Sequence, residues 1–205
     1  MCHHYRGSRN PPAHLADEFS ARTNLRQLTL PTPSYYPTNL VPVVRLDEDG
    51  ARELVELEWG FLPSWWKPKN EKDKPKAYQR KCFNARSEDI ETKSTFRSAF
   101  KSRRCLLLGT EFMEKSHYFS LPGKPTFAFA RIWESWNDGV VVSCSMLTTE
   151  PNAEVKSVGH HRMPVLLTTT EAQATWLNRE IVERGPLEPL MRTLPDGVFE
   201  VVKPE

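Results

Sequence analysis

Six short apolar runs, rich in β-branched residues, recur along the chain and restrict its fold more than any other feature. They are VPVVRL (41–46), ELVELEW (53–59), RCLLL (104–108), TFAFARI (126–132), GVVVSCSML (139–147) and MPVLLT (163–168). Each has the length and composition of a strand. Three segments read as helices instead. AHLADEFSAR (13–22) is the first, and TKSTFRSAF (92–100) is the second, leading into the strand at Arg104. TTEAQATWLNREIVERG (169–185) is the third, with Thr170 as N-cap, Gln173 three residues on and Gly185 as the stop. Strands in series, scattered helices and 17 prolines predict an α+β fold. The expected architecture is a single compact domain over 1–205, with a mainly antiparallel, β-barrel-like core and peripheral helices. No internal repeat or linker divides it, and 205 residues suffice to bury one core.

No run approaches the roughly 18–20 apolar residues of a membrane span, and the N-terminus has no apolar stretch like that of a signal peptide. Cys2, Cys82, Cys105 and Cys144 lack the paired spacing of a metal site. Reduced thiols and a cytoplasmic location are therefore expected, with the last three cysteines as core residues. The formal net charge is only +2, but its distribution is uneven. From Lys67 to Arg104, thirteen Lys/Arg stand against five Asp/Glu, a local +8, which leaves −6 on the remainder. Such a segment is either a solvated face or an anion-binding one, and nucleic acid is the commonest anionic partner. The stretch from Pro63 to Cys82 reads as a long irregular loop, a form that more often carries function than structure.

Several polar groups fall at the ends of the predicted strands, where active sites are commonly assembled. FNARSE (83–88) sets an amide, a guanidinium and a carboxylate within five positions. SRRCLLLGTEFMEK (102–115) runs a basic pair through a buried strand to Glu114, and SVGHHRMPVLL (157–167) puts His160, His161 and Arg162 before another strand. Each residue alone is unremarkable. The chain also opens MCHHYRG. Loss of the initiator methionine, normal before a residue as small as cysteine, would leave an α-amine and a thiol on adjacent carbons of Cys2.

The order of these blocks resembles the SRAP (SOS-response-associated peptidase) family, whose members shield abasic sites in single-stranded DNA. That family opens Met-Cys and continues with Trp-Gly…Pro-x-Trp, Asn-Ala-Arg-x-Glu, Arg-x-Cys-Leu…Glu and His-x-Arg-x-Pro blocks. Here they read MC, WGFLPSWW, NARSE, RRCLLLGTEFMEK and HHRMPVLL, in register from residue 2 to about residue 177. The resemblance implies Cys2 as nucleophile, with Asn84, Glu114 and His160 as its catalytic partners. It implies Arg86, Trp65, Trp66 and Arg162 as DNA-binding residues. The implied partner is single-stranded DNA containing abasic sites, met by a monomer that becomes nucleoid-associated on binding. No cofactor, metal or membrane is implied. Departures fall at His3, His4 and Tyr5, which replace Gly-Arg-aromatic, so that Arg6 or a neighbour would have to supply the missing phosphate contact. Glu111 replaces a glycine, and Met113-Glu114-Lys115 replaces aromatic-Glu-Trp.

The implied chemistry suits an N-terminal cysteine. An open abasic sugar presents an aldehyde, to which an α-amine adds with loss of water. The thiol then closes a five-membered thiazolidine. Reference pKa values of about 7.7–8.0 for the amine and roughly 8.5 for the thiol leave both nucleophiles available near neutral pH. Glu114 suits the proton transfers and His160 the opening of the cyclic sugar. Peptidase and lyase activities are implied as associated ones: release of Met1, and β-elimination from a long-lived imine. The protein would act largely as a suicidal DNA–protein cross-linker. Three other readings use the same residues. One is a Cys/His peptidase or amidohydrolase in which Asn84 orients His160 beside Cys2. Another is a metal site on the N-terminal Cys-His-His. The third is a plain single-strand binder without covalent chemistry.

Overall fold

All six apolar runs form strands. In the computed structural model, which describes residues 2–23 and 34–204, the strands in chain order are β1 (Tyr5–Arg6), β2 (Arg22–Thr23), β3 (Leu40–Leu46), β4 (Arg52–Trp59), β5 (Asn84–Arg86), β6 (Arg104–Gly109), β7 (Glu111–Glu114), β8 (His117–Ser120), β9 (Phe127–Trp136), β10 (Val141–Thr149), β11 (Met163–Pro164), β12 (Leu166–Leu167) and β13 (Glu200–Val202). The α-helices are α1 (Pro12–Glu18), α2 (Pro75–Gln79), α3 (Arg97–Ser102), α4 (Ala153–Ser157) and α5 (Thr170–Leu177). Met1, whose removal the expected chemistry requires, lies outside the described residues.

Five strands close on themselves in the order β10-β4-β3-β6-β9, with β9 pairing back to β10. Every pairing in this ring is antiparallel except β10 with β4. A second antiparallel sheet, β1-β7-β8-β13, carries the N-terminus. The α+β barrel expected from the strand pattern is the observed fold. The MPVLLT run splits in two because Val165 spans the seam. Its N–H donates to Leu147 on β10, and its carbonyl accepts from Ala130 on β9.

Side chains alternate along the barrel strands, so the two faces belong to different cores. Val44, Leu54, Leu106, Ala130 and Leu147 pack against α1, α3 and α5. A five-stranded barrel is too narrow to enclose a helix, so this is its outer face. The alternate set, including Val43, Leu57, Trp59, Leu107, Phe129 and Met146, fills the interior together with Cys2 and Tyr5.

The helices differ in detail from the sequence pattern. Helix α5 is capped by Thr169, whose Oγ1 accepts from Ala172 N at 3.2 Å, one residue before the expected Thr170. It also stops at Leu177, well short of Gly185. The buried Arg104 guanidinium takes the carbonyl of Trp176 in the last turn and those of Asn178 and Ile181 just beyond, holding the chain in its turn away from the helix. Gly185 begins a 3₁₀ helix (Gly185–Met191) instead of ending an α-helix. The Pro63–Cys82 segment is not wholly irregular, since it contains α2.

Candidate functional site

Two backbone features deliver the N-terminus to the barrel. Strand β1 pairs with β7 in the register Tyr5↔Phe112 and Arg6↔Glu111, and Met113 N–H donates to the His4 carbonyl at 3.0 Å. Gly109 permits this approach: a Cβ there would lie 2.7 Å from the Phe129 ring and 3.0 Å from the Arg6 carbonyl. Cys2 is consequently buried, and its Sγ donates to the His4 carbonyl at 3.4 Å. Burial, reinforced by the nearby Glu114 carboxylate, holds the thiol far above its ordinary pKa. The sequence-based expectation of a readily ionised thiol is thus corrected. In the resting site the thiol is neutral at physiological pH.

Three of the four expected catalytic side chains are tied to one another or to Cys2. Asn84 leaves β5, which runs parallel to β10 in the register Met146↔Asn84, and its Nδ2 donates to the Cys2 carbonyl at 2.7 Å. Its Oδ1 is buried with no hydrogen-bond partner among the described residues. Glu114 ends β7 at a two-residue hairpin, where Lys115 and Ser116 both adopt positive φ (49° and 61°) as a tight antiparallel turn requires. Its Oε2 lies 3.1 Å from His160 Nε2, and both side chains are almost completely buried. The other ring nitrogen, His160 Nδ1, is 2.7 Å from the Arg162 carbonyl. A carbonyl only accepts, so Nδ1 carries a hydrogen, and Nε2 of the neutral ring must accept one. Glu114 can supply it, because burial pushes its pKa up to about 7. Burial lowers that of His160. The pair shares one proton near neutral pH. Asn84 Nδ2 thus bonds the Cys2 carbonyl, a different contact from the one to His160 that a Cys/His hydrolase would use.

The four expected DNA-binding residues divide. Arg86 is exposed at the end of β5, with no ion pair among the described residues. Trp65 is 54% exposed, and its indole N–H is bonded to the Ser94 carbonyl. Trp66 is only 8% exposed and packs on Tyr78 and Trp136, which is a core role. Arg162 is buried, with a bidentate contact to Glu88 at 2.7 and 2.8 Å and a further bond to the Thr148 carbonyl. Its fork braces the loop that carries His160.

The basic segment is also partly consumed internally. Arg104 caps helix ends, Arg103 pairs with Glu134, and Lys76 pairs with Glu58. Lys67, Lys69, Lys74 and Lys81 form no ion pairs among the described residues and line a cleft of about 460 Å³ with Trp65 and Tyr78. The sequence placed these lysines in the basic segment; that they line one cleft, together with Asp73, depends on α2 folding.

The departures at the N-terminus contact one another. His4 stacks on Tyr36 with ring centroids 4.5 Å apart and places Nδ1 3.3 Å from Met113 Sδ. Arg6 pairs with Glu111 at 3.0 Å and lies over the Tyr118 ring at 3.8 Å. Arg6 is thus held by Glu111 in the resting site, with its side chain still 37% exposed. Among the described residues, no three His, Cys, Asp or Glu side chains group as a metal site. No helix there is long and apolar enough to cross a membrane.

With this geometry in place, comparison with known proteins gives a family. The model of the SOS response associated peptidase (SRAP) family matches residues 1–203, and the chain belongs to that family. It is 31% identical over 193 residues to abasic site processing protein YoqW of Bacillus subtilis, covering 86% of this chain and 82% of that one. It is 27% identical to abasic site processing protein HMCES of Gallus gallus, covering 78% of this chain and 55% of that longer one. A crystal structure of a protein from Bacteroides thetaiotaomicron shares the fold at a TM-score of 0.82 and 19% identity, over 98% of this chain and 90% of that one.

Proposed function

We propose that this protein captures abasic sites in single-stranded DNA as a thiazolidine on Cys2 and so shields the lesion during the response to DNA damage. The observation that carries the reading is the convergence of Asn84 and the proton-sharing Glu114–His160 pair on the N-terminal Cys2. The names of the relatives support the substrate. In the reaction, the freed α-amine attacks the sugar aldehyde and water leaves, giving an imine. The thiol then adds across the C=N bond: sulfur bonds to carbon, and the thiol proton ends on nitrogen. Glu114, poised near pKa 7, can both accept and return protons in these steps. The proton between Glu114 and its partner His160 can pass to the ring oxygen as the sugar opens. Asn84 fixes the Cys2 backbone, so that closure is an intramolecular event.

Arg86 and the lysine cleft would hold the phosphates, with the exposed Trp65 stacking on a base. Arg162 serves by bracing the His160 loop, and Trp66 by supporting Trp65. Release of Met1 is the peptidase step this reading requires. Lyase activity follows where β-elimination outruns ring closure. A DNA substrate would place the protein on the nucleoid, acting as a monomer.

Cys2→Ala is the direct test. The variant is expected to lose all heat-stable capture of an abasic oligonucleotide and to retain single-strand affinity within about twofold. Capture that persists in Cys2→Ala would overturn the assignment.

A further inference from the structure

The barrel interior contains one charge that the chemistry above does not use. Arg131, at an inward position of β9, is completely buried. Its Nη1 donates to Cys144 Sγ at 3.1 Å, and its guanidinium carbon lies 4.5 Å from the centre of the Trp59 ring. No carboxylate pairs with it among the described ion pairs. Nε and Nη2, the two donors that share one edge of the fork, have no hydrogen-bond partner there. The Tyr5 hydroxyl is likewise buried and unpartnered, and the Tyr5 ring meets Trp59 at 5.5 Å. A buried cation with no counter-charge is strongly unfavourable, and replacing it with an apolar residue of similar volume is often neutral or stabilising. A residue kept at such a cost in the same enclosed core as the nucleophile has an electrostatic reason to be there.

We propose that Arg131 is a positioning residue for ring closure, a fixed internal cation that stabilises the thiolate of Cys2 as it forms. This rests on the thiazolidine reading given above. Cys2 shares the barrel interior with Tyr5 and with Trp59, the ring over which Arg131 lies. The thiol donates to the His4 carbonyl, and the charged side chains that bear on it are Glu114 of β7 and Arg131 of β9. Cys144 on β10 and Cys105 on β6 lie on the same interior face. Burial and the Glu114 carboxylate oppose ionisation, whereas the His4 hydrogen bond and Arg131 favour it. Being sealed from solvent, Arg131 acts with little screening by salt. The sulfur ionises only once, when its proton passes to Glu114 and on to the imine nitrogen while the S–C bond forms. Arg131 lowers the barrier of that step and leaves imine formation untouched.

The test separates the two steps with protein whose Met1 has been removed. Borohydride reduction traps the imine, and heat-stable product without borohydride reports the ring. In Arg131→Met, the imine is expected to form at the wild-type rate. Closure at pH 7 is expected to slow roughly tenfold. Arg131→Lys keeps the charge and is expected to restore the wild-type closure rate. The slowing should persist in 1 M salt. An unchanged closure rate in Arg131→Met would refute the proposal, and equal slowing of both steps would assign Arg131 to structure. If the Met variant melts early, Arg131→Gln carries the same test. Absence of any imine in the wild-type protein would instead sink the thiazolidine reading itself.

Discussion

Replacing Glu114 with glutamine should stabilise the protein at high pH while removing its proton transfer. The carboxyl is almost fully buried and its pKa rises from an ordinary 4.5 to about 7. A group whose pKa is raised in the folded state contributes stability that is complete below the unfolded value. That contribution disappears as pH climbs through the folded value. The window here runs from about pH 4.5 to 7. At roughly 1.4 kcal/mol per unit, the wild-type protein loses about 3 kcal/mol across it from this group. His160 acts in the opposite sense, because burial lowers its pKa, but it is present in both proteins. A glutamine amide can donate to His160 Nε2 as the protonated carboxyl does, so the contact survives without the charge. Urea unfolding at pH 5 and pH 8 measures the effect. The variant should gain roughly 2–3 kcal/mol relative to wild type between the two, since pH 5 already lies inside the window, while its capture rate falls on the order of a hundredfold or more. Parallel stability profiles would refute the raised pKa and the proton-sharing pair built on it.

Other perturbations divide the interface from the frame. Trp65→Ala should weaken single-strand binding by about 1–3 kcal/mol, read by fluorescence titration, and leave the melting temperature unchanged. Trp66→Ala should instead destabilise the fold by roughly 3–5 kcal/mol in denaturant, since it removes a buried ring packed on Tyr78 and Trp136. Arg86→Ala should reduce the slope of log affinity against log salt by about 0.7, the contribution of one phosphate on a single strand. A slope equal to wild type would place Arg86 outside the interface. Arg162→Lys breaks the fork on Glu88 and should cost about 1–3 kcal/mol of stability with no change in salt slope. A reduced slope would return Arg162 to the phosphates.

The strand runs reveal the barrel because each is short, β-branched and bounded by turns, and these local signals agree with the global pairing. The C-terminal end of α5 is not legible, because it depends on Arg104 arriving from another element to take carbonyls in and after its last turn. Cys2, Asn84, Glu114 and His160 could be named from motif order. Which of them touch could not be read that way, since Asn84 meets Cys2 across 82 positions. Adjacent tryptophans look equivalent in sequence, yet the turn at Pro63 buries one ring and exposes the other. Arg131 had a readable signal, an arginine at an inward position of an otherwise apolar run. Its meaning required knowing that no ion pair among the described residues neutralises it. Charge counting overstated the basic face, since the sum cannot show that Arg103 and Arg104 are consumed internally.

The central claim is that the amine and the thiol of Cys2 act together on an aldehyde. The measurement that tests it most directly is a denaturing gel, with intact-mass analysis, of Met1-processed protein and a single-stranded oligonucleotide bearing one abasic site. A parallel sample carries an uncleaved N-terminal extension that blocks the amine. The account predicts a heat-stable adduct in the first sample only, lighter than the sum of its parts by one water. An adduct of equal yield with the amine blocked, or none with the amine free, would contradict it.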